Sequence, residues 1–357
     1  MKKINARQAY LLFVLASLSP SLRFTGKLCA AYGGSAGWVG ILLSCGAFYG
    51  LARLLAVLCA GGGLYDRCRR IVGKPAGTAA GVVYMLWLLL LAAFTLRDFA
   101  GKLAVSFLPG PPAAFFMVTL LAVCFLILKG NREHFARMAA IGCWAAVLAV
   151  AAAVLLTLPE MKIEHLWPVT HYQAGPILRS IVPMLGVYAY LTFLLLSGGE
   201  AEKSEELKKY APAATAAMGL INIAVFAATA GVFGPELTQQ LPAPFYMAVK
   251  SIRIFKTVQR LESLFLIFWI LADLALLVLL LHTVLALLRR TVRTERTEMY
   301  AAPVLAGVYG LALLIAGNIA ETEEFARQIV IPVNIALGFG APVLLGIVGR
   351  GRREMKN

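Results

Sequence analysis

The sequence predicts an all-α integral membrane protein of about ten transmembrane helices, arranged as two five-helix halves of opposite orientation. Three observations lead there. Hydrophobic residues make up 60% of the 357-residue chain and charged residues only 14%, with a mean hydropathy of +0.80, too apolar for a water-soluble globule. The apolar residues fall into runs of about twenty, the length that crosses a hydrocarbon core about 30 Å thick. The net charge of +15 sits in short basic clusters between those runs, a pattern that orients helices in a bilayer and argues against a soluble nucleic-acid-binding domain.

Breaking the runs at Gly, Pro and charge places spans near residues 8–31, 37–60, 79–105, 113–128, 135–157, 176–196, 211–232, 258–288, 300–317 and 328–348. The first follows "MKKINARQAYLLFVLASL", which has the basic and apolar regions of a secretory signal; no A-x-A-like site follows it, so a retained helix is expected. After the second span "LYDRCRRIVGKPAG" reads as a basic, helical loop. The third carries Thr95 midway and "LRDF" nearer its outer end, the fourth is short, and the fifth follows Lys129, Arg132 and Arg137. After the seventh, "AVKSIRIFKTVQR" repeats Lys250, Arg253 and Lys256 every three residues, which predicts an amphipathic surface helix over 249–256. The long eighth span opens at Arg260 and Glu262 and carries Asp273 in its middle.

If the helices alternate, six clusters holding most of the 33 basic residues fall on one side: Lys2–Arg7, Arg67–Lys74, Lys129–Arg137, Lys203–Lys209, Arg289–Arg296 and Arg350–Lys356. Both termini are then cytoplasmic, as an even number of spans requires. One membrane domain over 1–357 divides into repeats of about 8–157 and 176–348. The six cysteines show no CxxC spacing and read as small core residues, not as a metal site or a disulfide framework.

The first span is interrupted where a simple anchor would not be. "LASLSPSLRFTGK" places Ser17, Ser19, Pro20, Ser21 and Arg23 in the middle of an apolar run. Proline removes a backbone donor and serine hydroxyls compete for backbone partners, so a discontinuous helix is expected there. The first span of the second half carries Pro183 and Gly186 near its centre, followed by Tyr188 and Tyr190. Breaks at corresponding positions of two halves predict a central binding site, with half-helix ends facing the ligand.

"GPEL" at 234–237, "RLESLFLIFWI" at 260–270, "LRDF" at 96–99 and "IEHLWPVTHYQAGPILRS" at 163–180 resemble the B subunits of bacterial spore germinant receptors, the spore permease family. The resemblance runs through essentially the whole chain in the right order. It implies a branch of the amino acid–polyamine–organocation superfamily, a LeuT-type fold with broken helices 1 and 6, an amino-acid-like ligand, and partner A-type and C-type subunits. It also implies the spore inner membrane or the bacterial cytoplasmic membrane as the location. Many relatives carry glycine or other very small residues at the first break and a glycine–acid pair near Tyr190-Leu191; this chain has neither.

No catalytic constellation emerges: His134, His165, His171 and His282 are scattered, and HExxH, GxSxG and a Walker-type loop are absent, so no enzyme and no cofactor are expected. His165 and His171 with Glu164 read as loop residues in preference to a metal site. The candidate ligand site comprises Ser17, Ser19, Ser21, Thr95, Pro183, Gly186, Tyr188 and Tyr190, with packing, or for Thr95 a bond to its own helix, as the competing reading. Arg97 with Asp98, and Arg260 with Glu262, read as structural or gating pairs near the outer end. Arg23 and Asp273 fall within about 5 Å of one depth at 1.5 Å per residue, which predicts an intramembrane charge pair, with Arg53 as the competing partner. Sodium-coupled relatives hold an ion between helices 1 and 8, so the resemblance implies that Arg23 could stand in for it. The leading function is a germinant receptor B subunit. A proton- or sodium-coupled amino acid transporter and a membrane scaffold without a working site are the alternatives.

Overall fold

A computed structural model describes residues 6–60, 62–107, 110–130, 132–167, 169, 173–196, 204–251, 261–292 and 297–351. Among these the chain is helical throughout its ordered elements. Apolar runs leave the backbone as the only polar group, and in lipid it must be satisfied within each helix. The helices are α1 (Ala6–Gly33), α2 (Gly37–Leu58), α3 (Leu64–Val72), α4 (Lys74–Lys102), α5 (Ala113–Lys129), α6 (Arg132–Thr157), α7 (Ala174–Tyr188) and α8 (Tyr190–Leu196). There follow α9 (Ser204–Phe233), α10 (Pro235–Thr238), α11 (Pro244–Ser251), α12 (Leu261–Val292), α13 (Ala301–Ile315), α14 (Ile319–Phe325), α15 (Ile331–Ile335) and α16 (Ala341–Gly351).

Seven helical stretches among the described residues are long and apolar enough to cross a membrane, the first being Ala6–Leu58. Its 53 residues would extend about 80 Å at 1.5 Å per residue, far beyond one bilayer, so it makes two passes. The corner is at Gly34, where φ is +55°, and a Cβ on Gly37 would lie 2.7 Å from the Cys29 carbonyl oxygen as α2 folds back on α1. With the shorter α5 and α13 the spans number ten. The last runs from Ile319 to Gly351 through two π-helical turns, at Ala326–Val330 and Ala336–Gly340, and so begins nine residues before the expected start.

Among the described residues, two contacts join helix ends that carry basic residues. Tyr10 near the start of α1 donates to the Leu207 carbonyl near the start of α9, and Arg290 at the end of α12 pairs with Asp66 of α3 at 2.9 Å. Of the surface helix expected over 249–256, only 249–251 are among the described residues; they end α11 (Pro244–Ser251), which buries Pro244, Phe245, Tyr246, Ala248 and Val249 against the bundle, and 252–260 lie outside the described residues.

The expected break in the first span is not there. α1 is helical from Ala6 to Gly33 with Pro20 inside it. Proline alone removes one hydrogen bond, and the flanking serines do not compete for the backbone as expected, because Ser19 donates to Asp273. The expected break in the sixth span is absent too: Pro183–Tyr188 stays helical, and at Ala189, where α7 passes into α8, the backbone keeps helical angles (φ −55°, ψ −27°), its N–H donating to the Leu185 carbonyl and its carbonyl accepting from Thr192 and Phe193. The tenth span comes close at this point: a Cβ on Gly338 would lie 2.2 Å from the Ala189 Cβ.

Candidate functional site: a buried polar centre around α1

Helical spacing puts Ser19 and Arg23 on one face of α1 and Ser17, Ser21 and Thr25 on the opposite one. All five are buried. The first face meets α12 and α4. Ser19 donates to Asp273 Oδ1 at 2.6 Å and accepts from Arg23 Nη2 at 2.7 Å; Arg23 Nη2 also donates to Asp273 Oδ1. Arg23 Nε lies 3.2 Å from Asp98 Oδ2, which accepts from Lys102 Nζ at 3.0 Å. Two cations and two carboxylates, each with at most 4% of its surface exposed, form one cluster without net charge. That neutrality lets it exist in hydrocarbon surroundings, where a lone ion costs several kcal/mol.

The second face meets α7 and α9. Thr25 donates to Asn222 Oδ1 at 2.6 Å and lies 3.8 Å from Met184 Sδ. Among the described residues the Ser17 and Ser21 hydroxyls, one turn apart, have no hydrogen-bond partner, and neither does Asp273 Oδ2 on the other face.

The other expected site residues lie in distinct contacts. Thr95 is buried and donates to the Leu91 carbonyl of its own helix at 2.8 Å. Arg97 and Asp98 do not pair with each other: Arg97 donates to the carbonyls of Ala316 and Gly317, while Asp98 turns inward to the cluster. Pro183 is buried in α7. Gly186 packs on Ile331, and its carbonyl accepts from Asn334 at 3.3 Å. Tyr188 stacks on Phe48, with ring centroids 4.5 Å apart, and Phe48 in turn stacks on Phe13. Tyr190 lies beside Arg23 and Asn334 and edge-on to Phe193. Arg260 lies outside the described residues, as does the side chain of Glu262. Arg53 is exposed.

Three buried polar residues escaped the sequence reading. Lys102 follows Asp98 by one helical turn, a spacing that signals a pair. Asn222 and Asn334 are single amides in apolar spans, the same signal that marked Asp273. Asn334 joins three spans by accepting from Trp87 and donating to Gly186.

This arrangement of ten spans has known counterparts. Residues 3–321 match the family described as spore germination protein. The chain belongs to the spore germination protein family. A curated relative, "Putative spore germination protein YfkT" of Bacillus subtilis (strain 168), is 26% identical over 199 residues, 54% of this chain and 53% of that protein. The chain thus spans about half the length of the curated relative it matches. Among solved structures, MhsT in complex with L-phenylalanine superposes with a TM-score of 0.67 at 14% identity, over 98% of this chain and 90% of that one. The fold is therefore that of a LeuT-type transporter, and in this spore germination permease α1 and α12 are its first and eighth spans.

Proposed function

We propose that this spore germination permease is the B-type subunit of a germinant receptor. It binds a small amino acid or related metabolite near the bilayer midplane and passes the change to A-type and C-type subunits. It works in the spore inner membrane or the bacterial cytoplasmic membrane, with both termini cytoplasmic. The observation that carries the site is the pair of orphaned hydroxyls, Ser17 and Ser21. A buried hydroxyl without a partner costs about 1–3 kcal/mol, and Pro20 also leaves the Ala16 carbonyl without its helical donor. A ligand carrying both donors and acceptors would satisfy all three. Arg23 and Lys102 are already engaged by carboxylates, so they hold α1 to α4 and α12 while the opposite face of α1 receives the ligand. A ligand that favours one of two arrangements of the spans shifts the population toward it.

A thermal-shift screen of the purified protein against amino acids, nucleosides and sugars tests this. One class should stabilise the protein. The Ser17→Ala, Ser21→Ala double variant should lose that stabilisation, with binding at least about tenfold weaker, each lost hydrogen bond contributing about 1 kcal/mol. Without ligand the variant should melt at or slightly above the parent temperature, since two unpartnered polar groups are gone. Absence of any stabilising compound would favour the scaffold reading, and ligand uptake into proteoliposomes would favour transport.

A further inference from the structure

A cavity of about 260 Å³ lies between α3, the start of α4, the end of α8 and α16. Its outer wall is the lipid-facing surface: Val72, Leu344 and Val348 line it and are 40%, 65% and 40% exposed. The inner wall is apolar, with Ala80, Leu196 and Leu345, and the lining contains no carboxylate. Two polar groups stand out against it. Tyr65 lines the cavity and is almost wholly buried, and its hydroxyl has no hydrogen-bond partner. Arg69, whose guanidinium lies 5.7 Å from the centre of the Tyr65 ring, has a buried Nε without a partner. Lys74, exposed at the start of α4, stands two residues before the wall residue Ala76. The acid nearest in sequence, Asp66, is engaged by Arg290.

We propose that this cavity holds one acyl chain of an anionic phospholipid, whose phosphate lies against Arg69 and Lys74. An apolar slot open to the bilayer takes a hydrocarbon chain, and Arg69 and Lys74, carried by the two helices α3 and α4 that wall it, with the neighbouring acid already paired, select a negative headgroup. α3 buries Leu64, Tyr65, Ile71 and Arg67, and exposes Arg70 and, toward the cavity mouth, Val72. The lipid then fastens α3 to α4 and α16 at the headgroup level.

Native mass spectrometry of the full chain, mixed with phosphatidylglycerol or with phosphatidylcholine of the same acyl chains, tests this. One phosphatidylglycerol should be retained per chain, with phosphatidylcholine held at least about fivefold more weakly. Leu344→Trp fills the slot from the exposed side without disturbing the core, and Ala80→Phe fills it from within; both should lose the lipid. The double change Arg69→Gln, Lys74→Gln should bring phosphatidylglycerol down to the phosphatidylcholine level. Equal retention of the two lipids by the parent chain, or undiminished retention by Leu344→Trp, would overturn the proposal. So would a parent dimer that Leu344→Trp converts to monomer, because a second copy would then cover the groove.

Discussion

Replacing Asp273 by alanine should destabilise this spore germination permease by about 3–5 kcal/mol, the range for breaking one side of a buried ion pair. The carboxylate has no exposed surface and accepts from both Ser19 and Arg23. Its loss leaves Arg23 and Lys102 facing Asp98 alone, so one positive charge is stranded in an apolar interior. Arg23→Ala should cost about as much by stranding a negative charge instead. The double variant restores neutrality, with Lys102 and Asp98 still paired, and should be less damaged than the two losses added together, by at least about 1 kcal/mol. Thermal unfolding of the four proteins in one detergent reads this cycle, and strictly additive losses would refute the cluster as a unit. Asp273→Asn keeps an acceptor for Ser19 and should fall between the parent and the alanine variant.

The second large effect is expected at the crossing of the sixth and tenth spans. A Cβ on Gly338 would lie 2.2 Å from the Ala189 Cβ and 2.7 Å from its Cα, separations that backbone-anchored atoms do not tolerate. Even Gly338→Ala must push the two spans apart, at about 1–3 kcal/mol for overpacking. The displacement would also strain the bonds that this π-helical turn accepts, from Thr192 to the Gly338 carbonyl and from Tyr84 to the Leu337 carbonyl, both at 2.7 Å. Gly340, two residues on, is the control: its Cβ would meet only the Ile335 carbonyl oxygen, at 3.9 Å, and Gly340→Ala should melt with the parent. If both variants melt alike, the close approach of Gly338 to Ala189 does not set the packing of the two spans.

The corner at Gly34 and the crossing at Gly338 show why span positions were readable while their joints were not. Span length follows from bilayer thickness, which any stretch of about twenty apolar residues reports locally. The tenth span was underestimated because its first turns, "IAETEEF", carry three acids, yet Asn318 caps it and Lys27 of α1 neutralises Glu323 at 2.6 Å.

What the sequence by itself determined is the membrane class, the ten spans, the family resemblance, and that charges such as Arg23 and Asp273, deep in apolar runs, require partners. Those conclusions depend on composition, spacing and the cost of a lone ion in hydrocarbon, all properties of the chain taken in order. Only the tertiary structure decided that α1 stays helical through Pro20 and that the sixth span stays helical through Pro183 and Ala189. It alone joined Lys102 and Asp98 to the buried cluster and left Ser17 and Ser21 without partners. The physical reason is that a proline, a serine hydroxyl or a buried charge takes its role from the groups that neighbouring helices bring to it. For Ser19 that group belongs to a residue 254 positions away.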